Sequence, residues 1–490
     1  MKIVSSFIRE QKRYTKNDLK SIFRYDEAGV EKFIKSLKSY GVLKSVKNKI
    51  DQLEMSDLMD DDIEIKDETA ESGDCFYVFT YVGILTYGSR IIKVYPKYLL
   101  SKKDEPLTEM KQVVKVLEKY SHSKEQIINV FNGVDENRSY NILAVILFLL
   151  NDYYENNIYT NSEDIIEING DGEILWGKTI DESFALIEEN RPYYMELYTE
   201  KTVDDDMDYF KRLHECVLTE CSKQLHDAQL DTIFDMDTLE LTEETLLDFG
   251  DKDYILERIH KELNIQFNTR RQILLKTIYT YISQDRKMLE ESNGISMYGT
   301  TAYHAVWEEV CSEVFDNKLN IKLSKLKMSV PLAEKFQDRK NKSLIDIIEK
   351  PIWEGNDIIE EAGDTLIPDL ISILQIGAED KFFIFDAKYY NIQLEKGKSL
   401  RGNPGVGDVT KQYLYQLAYK DFIKAHNIDV VKNCFLMPTD KDEIIKKGTV
   451  KIPMLEALGL ENIQIRQIPA KMLYDCYLVQ RKIDIALLEL

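Results

Sequence analysis

Two apolar stretches joined by a short polar turn stand out in the C-terminal half of the chain. Leu366-Ile-Pro-Asp-Leu-Ile-Ser-Ile-Leu-Gln375 and Lys381-Phe-Phe-Ile-Phe-Asp-Ala-Lys-Tyr-Tyr390 are rich in β-branched and aromatic residues, with Gly377-Ala-Glu-Asp-Lys381 between them. The pattern predicts a β-hairpin. Strand side chains two apart share a face, so Asp386 and Lys388 point one way and Ala387 the other. With the tip near Glu379, facing residues have numbers summing to about 758, which sets Asp369 opposite Tyr389 and diagonal to Lys388. Asp369 and Asp386 then lie at the same end of the ladder.

Elsewhere the spacing is mostly helical. Near the N-terminus, Tyr14–Phe23 starts one helix, capped by Thr15 or Asn17, and Glu27–Tyr40 forms a second with Val30, Phe33, Ile34 and Leu37 on one stripe. Gly41 ends it and Val42–Val46 returns as a strand, together resembling a winged helix. Its lysines 32, 35, 38, 44 and 47 suit either DNA contact or an ordinary solvated face. Residues 51–74 are acidic and aromatic-free, a linker pattern. Cys75–Leu85 and Arg90–Tyr98 read as a hairpin. Helices are expected at 109–120, 124–131, 141–154, 205–224, 243–263 and 269–291, with a hairpin at 163–180 turning at Gly170 and Gly172. Tyr303, Val306, Trp307, Val310 and Val314 form the apolar stripe of a further helix; Asp408 caps another carrying Gln412, Tyr415, Gln416, Tyr419 and Ile423 on one face. Strands at 433–438 and 463–468 complete a sandwiched sheet. The fold class is multidomain α/β: an N-terminal winged-helix and β region (residues 1–100), a mainly helical middle domain (101–292) and a C-terminal catalytic domain (293–490).

Composition narrows the function. The 490 residues leave room for several cores, and the ordinary apolar and charged fractions fit a soluble protein. The net charge of -22 opposes contact with phosphates, so either a local basic patch or a partner must hold any nucleic acid. Cys75, Cys216, Cys221, Cys311, Cys434 and Cys476 lack metal or disulfide spacing and read as reduced thiols of a cytoplasmic protein. The longest apolar run, Ile142–Leu150, is shorter than the ~20 residues of a membrane span, and no membrane association is expected. His214 and His226 lack a second ligand at metal spacing and read as satisfied core or surface groups. Arg270 and Arg271 suit either phosphate or a solvated helix end. Gly397-Lys398-Ser399 lacks the earlier glycine of a phosphate-binding loop, with Ile392 in its place, so no nucleotide site is assigned. Lys396, Lys398 and Arg401 in that glycine-rich loop suit DNA phosphates.

Two carboxylates, a backbone carbonyl and an ammonium at one strand end suit a hydrated Mg²⁺. Such an ion acidifies a water and neutralises charge building on a phosphodiester, while a lysine beside it orients that water or, with a depressed pKa, takes its proton. The competing reading is an ordinary salt bridge at a strand end. Pro368-Asp369 … Asp386-Ala387-Lys388 resembles the signature of the PD-(D/E)xK phosphodiesterase superfamily. Within it, the chain most resembles the LlaJI-type restriction endonucleases and, more distantly, the McrC nuclease subunit; Pro96-Lys97 and Gly172–Ile180 are similar to parts of those chains.

The resemblance implies a PD-(D/E)xK restriction-endonuclease-like domain and Mg²⁺-dependent cleavage of double-stranded DNA, with Mn²⁺ as a substitute. It also implies a partner AAA+ GTPase of the McrB kind, an N-terminal region that docks on it, and a cognate methyltransferase in the same system. Asp369 and Asp386 become metal ligands together with the carbonyl of Ala387. Lys388 becomes the group that positions or deprotonates water, and Gln412 its support. Glu308 and Glu309 lie about 100° apart on their helix. Glu308 falls on the semi-apolar side with His304, Cys311 and Phe315, and is the choice for an indirect third ligand. The function expected is a DNA endonuclease subunit of a bacterial restriction system; the alternative is a non-cleaving adaptor that binds DNA or stimulates a partner GTPase.

Overall fold

The computed structural model describes residues 4–47, 75–88, 90–100, 105–123, 142–160, 162–189, 191–204, 208–284, 295–355 and 358–490. The acidic stretch 51–74 and the helix expected at 124–131 lie outside them. The chain forms two compact units, one of residues 1–85, 90–132 and 298–490, the other of 86–89 and 133–297. The first therefore gathers the N-terminal and C-terminal segments into one body.

In that unit, Thr15 opens helix Lys16–Phe23 with a capping box: its hydroxyl accepts from the Asp18 N–H at 3.1 Å and the Asp18 carboxylate accepts from the Thr15 N–H at 2.8 Å. Val30, Phe33, Ile34 and Leu37 of helix Glu27–Ser39 are all buried, and Gly41, at φ 68°, turns the chain into strand Leu43–Lys47. Cys75–Phe79 pairs with that strand and with Arg13–Tyr14. The expected hairpin with Arg90–Tyr95 is therefore made by Val82–Tyr87 alone, without Cys75–Phe79. On its other edge Arg90–Tyr95 pairs with Val4–Arg9 in parallel. The break at Thr80-Tyr81 lets one apolar run feed two sheets. Gly83 and Gly299 meet backbone to backbone there: a Cβ on Gly83 would stand 2.2 Å from the Tyr298 carbonyl oxygen.

The C-terminal sheet has five strands in the order Leu370–Ile376, Glu379–Ala387, Val430–Thr439, Ile463–Pro469, Ile445–Val450. The first pair and the last pair are antiparallel and the middle pairings parallel. Parallel strands require cover on both faces. On one side Phe383, Phe385 and Ala387 pack against Trp307 and Val310 of helix Tyr303–Val314 and Tyr474 of helix Ala470–Leu478. Val113, Val116 and Leu117 of helix Leu107–Ser123 join the same core, which welds the N-terminal half to this sheet. On the other side Phe382 and Ile384 meet Tyr415, Tyr419 and Phe422. Burial of the indole is completed by a 3.0 Å hydrogen bond from Trp307 Nε1 to the Leu436 carbonyl.

The second unit contains helices Ile142–Asn156, Tyr209–Asp227, Lys252–Ile265 and Thr269–Gln284. The long helix expected at 243–263 is split into a 3-10 turn, Leu246–Phe249, and Lys252–Ile265, because Gly250 at φ 115° breaks it and Asp251 caps the second piece. Ser162–Ile168 and Glu173–Ile174 do not pair with each other; Tyr198–Asp204 lies between them. Gly172 permits this, since a Cβ there would stand 2.2 Å from the Glu200 carbonyl oxygen. Arg270 is spent internally, bidentate to Asp152 at 3.0 and 2.7 Å. His226 pairs with Asp231, and His214 is buried with Nδ1 accepting from the Tyr159 N–H at 3.0 Å. Among the described residues no helix is long and apolar enough to cross a membrane, and the six cysteines are free and buried.

Candidate active site

The hairpin closes earlier than its composition suggested. Gly377 takes φ 64°, so Gly377 and Ala378 alone make the turn and Glu379 already pairs with Ile376. Leu370 consequently faces Phe385, and the next step along the ladder sets Asp369 opposite Asp386 rather than opposite Tyr389. Facing residues of an antiparallel pair share a side of the sheet. The corrected register thus brings the two carboxylates closer together than expected. Asp369 Oδ2 accepts from the Ala387 N–H at 2.7 Å, and the two carboxyl groups also hydrogen-bond to each other.

Burial dominates their titration. It pushes Asp386 up to about 8, helped by the negative charge of Asp369 and opposed by Lys388. Asp369 is raised as well, again chiefly by burial, with the charge of Glu308 adding to it and the Asp386 and Ala387 hydrogen bonds opposing. The pair resists carrying two uncompensated charges, as like carboxylates in a dry site do.

Lys388 is the cation that offsets them. Its ammonium lies 3.0 Å from Asp386 Oδ2 and 3.1 Å from Asp408 Oδ1. Burial alone would lower its pKa, but Asp386, Asp408 and Asp369 outweigh that and hold it above the usual lysine range. In this arrangement the surrounding carboxylates keep Lys388 protonated, a charged neighbour of Asp386 and Asp408. Asp408 is the residue that sequence reasoning missed. Gly405, not Asp408, is the N-cap of helix Val406–Ala418, and Asp408 sits in its first turn, aimed at the lysine. The signal for it was positional, a carboxylate one helical turn before Gln412.

Gln412 is fully buried and donates from Nε2 to the Ile384 carbonyl at 3.0 Å. It supports the strand two residues before Asp386 rather than reaching Lys388 or a phosphate. Tyr415, one turn further on, is pushed up to about 12, mainly by burial and then by the charges of Asp386 and Asp369. Glu308 is half-buried and its charge bears on Asp369 and Cys311, whereas the charge of Glu309 bears on Tyr477. Ala387 turns its methyl into the core beneath helix Tyr303–Val314. The structure thus brings together Asp369, Asp386, Ala387 and Lys388, with Glu308 at longer range.

Among the described residues no group of three or more His, Cys, Asp or Glu is arranged to hold a metal by itself. The donor set nonetheless fits a hard divalent ion. Two adjacent carboxylates, Asp386 buried and Asp369 half-buried and both raised in pKa, gain from a cation between them, and Mg²⁺ needs only one or two carboxylates because it keeps several waters.

The LlaJI restriction endonuclease family profile matches residues 81–473. A component of the Type II restriction enzyme BsuMI, YdjA of Bacillus subtilis (strain 168), is 30% identical over 418 residues, which cover 83% of this chain and 82% of that protein. Among solved structures, a chain from the tetradecameric assembly of Thermococcus gammatolerans McrB AAA+ hexamers with bound McrC overlaps 97% of this chain and 99% of that one, at TM-score 0.35 and 10% identity. A chain of the Thermococcus gammatolerans McrBC complex overlaps 63% and 86%, at TM-score 0.24 and 11% identity. Those TM-scores are too low to fix a shared fold. The profile match and the curated relative together place the chain: it belongs to the LlaJI restriction endonuclease family.

Proposed function

We propose that this chain is the Mg²⁺-dependent endonuclease component of a restriction system, hydrolysing phosphodiester bonds in double-stranded DNA through a PD-(D/E)xK site. The observation that carries the reading is the meeting of Asp369, Asp386 and Lys388 at one strand end, with the Ala387 amide bound by Asp369. Asp369 and Asp386 would hold the ion, with the carbonyl of Ala387 and, through water, Glu308. When bound, Mg²⁺ or Mn²⁺ supplies charge neutralisation on the phosphodiester and acidifies a water. Asp369 is oriented for this by the Ala387 N–H, which fixes one of its oxygens. Lys388, braced by Asp386 and Asp408, presents N–H groups that orient the attacking water in line with the leaving ester oxygen or hold a non-bridging oxygen. An adaptor that bound DNA without cutting it would have no use for a carboxylate pair braced by a lysine.

The chain works with partners in this reading. Its net charge of -22 weakens any self-sufficient grip on DNA, and its relative is described as a component of a restriction enzyme. An McrB-like AAA+ GTPase would load or move the DNA, and a cognate methyltransferase would mark self. The test is plasmid cleavage with Mg²⁺, with and without the neighbouring GTPase and GTP, comparing the parent with Asp386→Ala and Lys388→Ala. Loss of cutting in both variants supports the site; equal cutting by parent and variants places the nuclease elsewhere.

A further inference from the structure

The N-terminal half reaches the segment that follows the catalytic lysine. Glu10, buried at 5% exposure, accepts hydrogen bonds from the Tyr389 hydroxyl and, at 3.1 Å, from the Lys97 N–H. The Lys97 N–H also lies 3.2 Å from the Tyr389 oxygen. Tyr389 is the residue next to Lys388, so this knot ties the end of the N-terminal hairpin to the end of the catalytic strand. The Lys97 side chain is aimed across it. Its ammonium stands 4.8 Å from the centre of the Tyr389 ring and 5.7 Å from that of Tyr390, and donates to Gln11 Oε1 at 2.9 Å. These contacts orient the ammonium and leave it only partly buried.

His304 reports where that charge falls. It opens helix Tyr303–Val314, and its pKa is lowered first by burial and then by the positive charges of Lys97 and of Lys388. The charges of two lysines from distant segments of the chain therefore both act on this one imidazole. In a chain of net charge -22, a positive charge held against Tyr389, the residue that follows Lys388, has an electrostatic use. The carboxylates repel an approaching phosphate, and a fixed cation nearby offsets that repulsion.

We propose that Lys97 is a DNA phosphate-binding residue of the nuclease site, delivered by the N-terminal hairpin and held in place by Glu10 and Tyr389. The active site is then composite, and the C-terminal segment alone lacks part of its substrate grip. The inference rests on the nuclease reading above for the identity of the substrate. Its residue and its test are separate from those of the cleavage step.

The test uses the full chain with its partner subunit, comparing parent, Lys97→Gln and Lys97→Arg. DNA binding is measured against salt concentration, and cleavage is resolved into kcat and KM. Loss of one phosphate contact is expected to flatten the slope of log affinity against log salt by about one. It should raise KM several-fold with kcat nearly unchanged, and Arg should restore both, with equal melting temperatures throughout. A parent that cuts, beside a Lys97→Gln variant with unchanged slope and KM, overturns the inference and leaves the nuclease reading standing. An equal fall in kcat and melting temperature, unrescued by Arg, overturns it in favour of a packing role. A parent that fails to cut while Lys97→Gln still flattens the slope supports the phosphate site and sinks the nuclease reading; a parent that neither binds nor cuts overturns both.

Discussion

Asp408 and Lys388 form an ion pair at 3.1 Å between helix Val406–Ala418 and the end of strand Glu379–Ala387, and this pairing gives the lysine its second brace. Asp386, the first brace, is itself expected to bind the ion, so Asp408 is the carboxylate left to hold the ammonium when that happens. Asp408→Asn keeps the shape and removes the charge. The expected result is a fall in kcat of about 10- to 100-fold with little change in KM, the scale seen when an outer partner of a functional group is lost. Steady-state cleavage of a short duplex measures it; an unchanged kcat would show that Asp386 alone suffices.

Glu308 and Glu309 separate by the groups on which their charges act. Glu308 acts on Asp369, which is why the indirect ligand role is proposed for it, while Glu309 acts on Tyr477. Glu308→Gln should lower cleavage about 10-fold and raise the Mg²⁺ concentration needed for half activity, with Glu309→Gln close to the parent. A Mg²⁺ titration of the two variants decides between them, and the reverse order would move the third carboxylate to Glu309.

The residues of this site were legible in the sequence to different depths. Asp369, Asp386 and Lys388 stood out because a strand alternates and a hairpin folds back, two rules that need only local pattern. Their register did not, since it hung on Gly377 adopting a left-handed turn, a choice between a two-residue and a five-residue loop that the side chains leave open. Asp408 was legible only as a carboxylate near a helix start, and its pairing with Lys388 was not. Its ion pair links residues brought together by packing of helix Val406–Ala418 on the sheet, and local spacing carries no such distance. The N-terminal sheets show the same limit: Cys75–Phe79 and Val82–Tyr87 look like one apolar run, and only tertiary pairing sends them to different sheets.

Gln412 supplies a contrast between chemistry and support. Its amide is fully buried and bonded to the Ile384 carbonyl, while its Oε1 has no hydrogen-bond partner among the described residues. Gln412→Leu removes one good hydrogen bond and one orphaned acceptor together, so the cost in stability should be modest, about 1 kcal/mol. Cleavage by the folded variant should stay within about 3-fold of the parent, a difference worth less than 1 kcal/mol in the barrier. Thermal melting beside kcat reads both. A collapse of kcat at unchanged melting temperature would return Gln412 to the reacting groups.

His214 should make the second unit acid-sensitive. Burial first, and the charge of Arg270 second, hold its pKa down to about 4 against the opposing charge of Asp152. Its Nδ1 accepts the Tyr159 N–H at 3.0 Å, which requires the neutral ring. In the unfolded chain the imidazole returns to its ordinary pKa near 6.5. Above that value both states are neutral and the full stability is present. As the pH falls from about 6.5 to about 4 the unfolded chain takes up a proton that the folded one refuses, so stability is lost across that window and levels off below it. The whole loss is roughly 3 kcal/mol. Hydrogen exchange in helix Tyr209–Asp227 is the suitable probe, because a two-unit chain need not unfold in one step. His214→Gln retains an acceptor for the Tyr159 N–H and has nothing to titrate, so its protection should be flatter between pH 4 and 6.5 than the parent's. Parallel profiles in the two proteins would show that other groups govern the acid response.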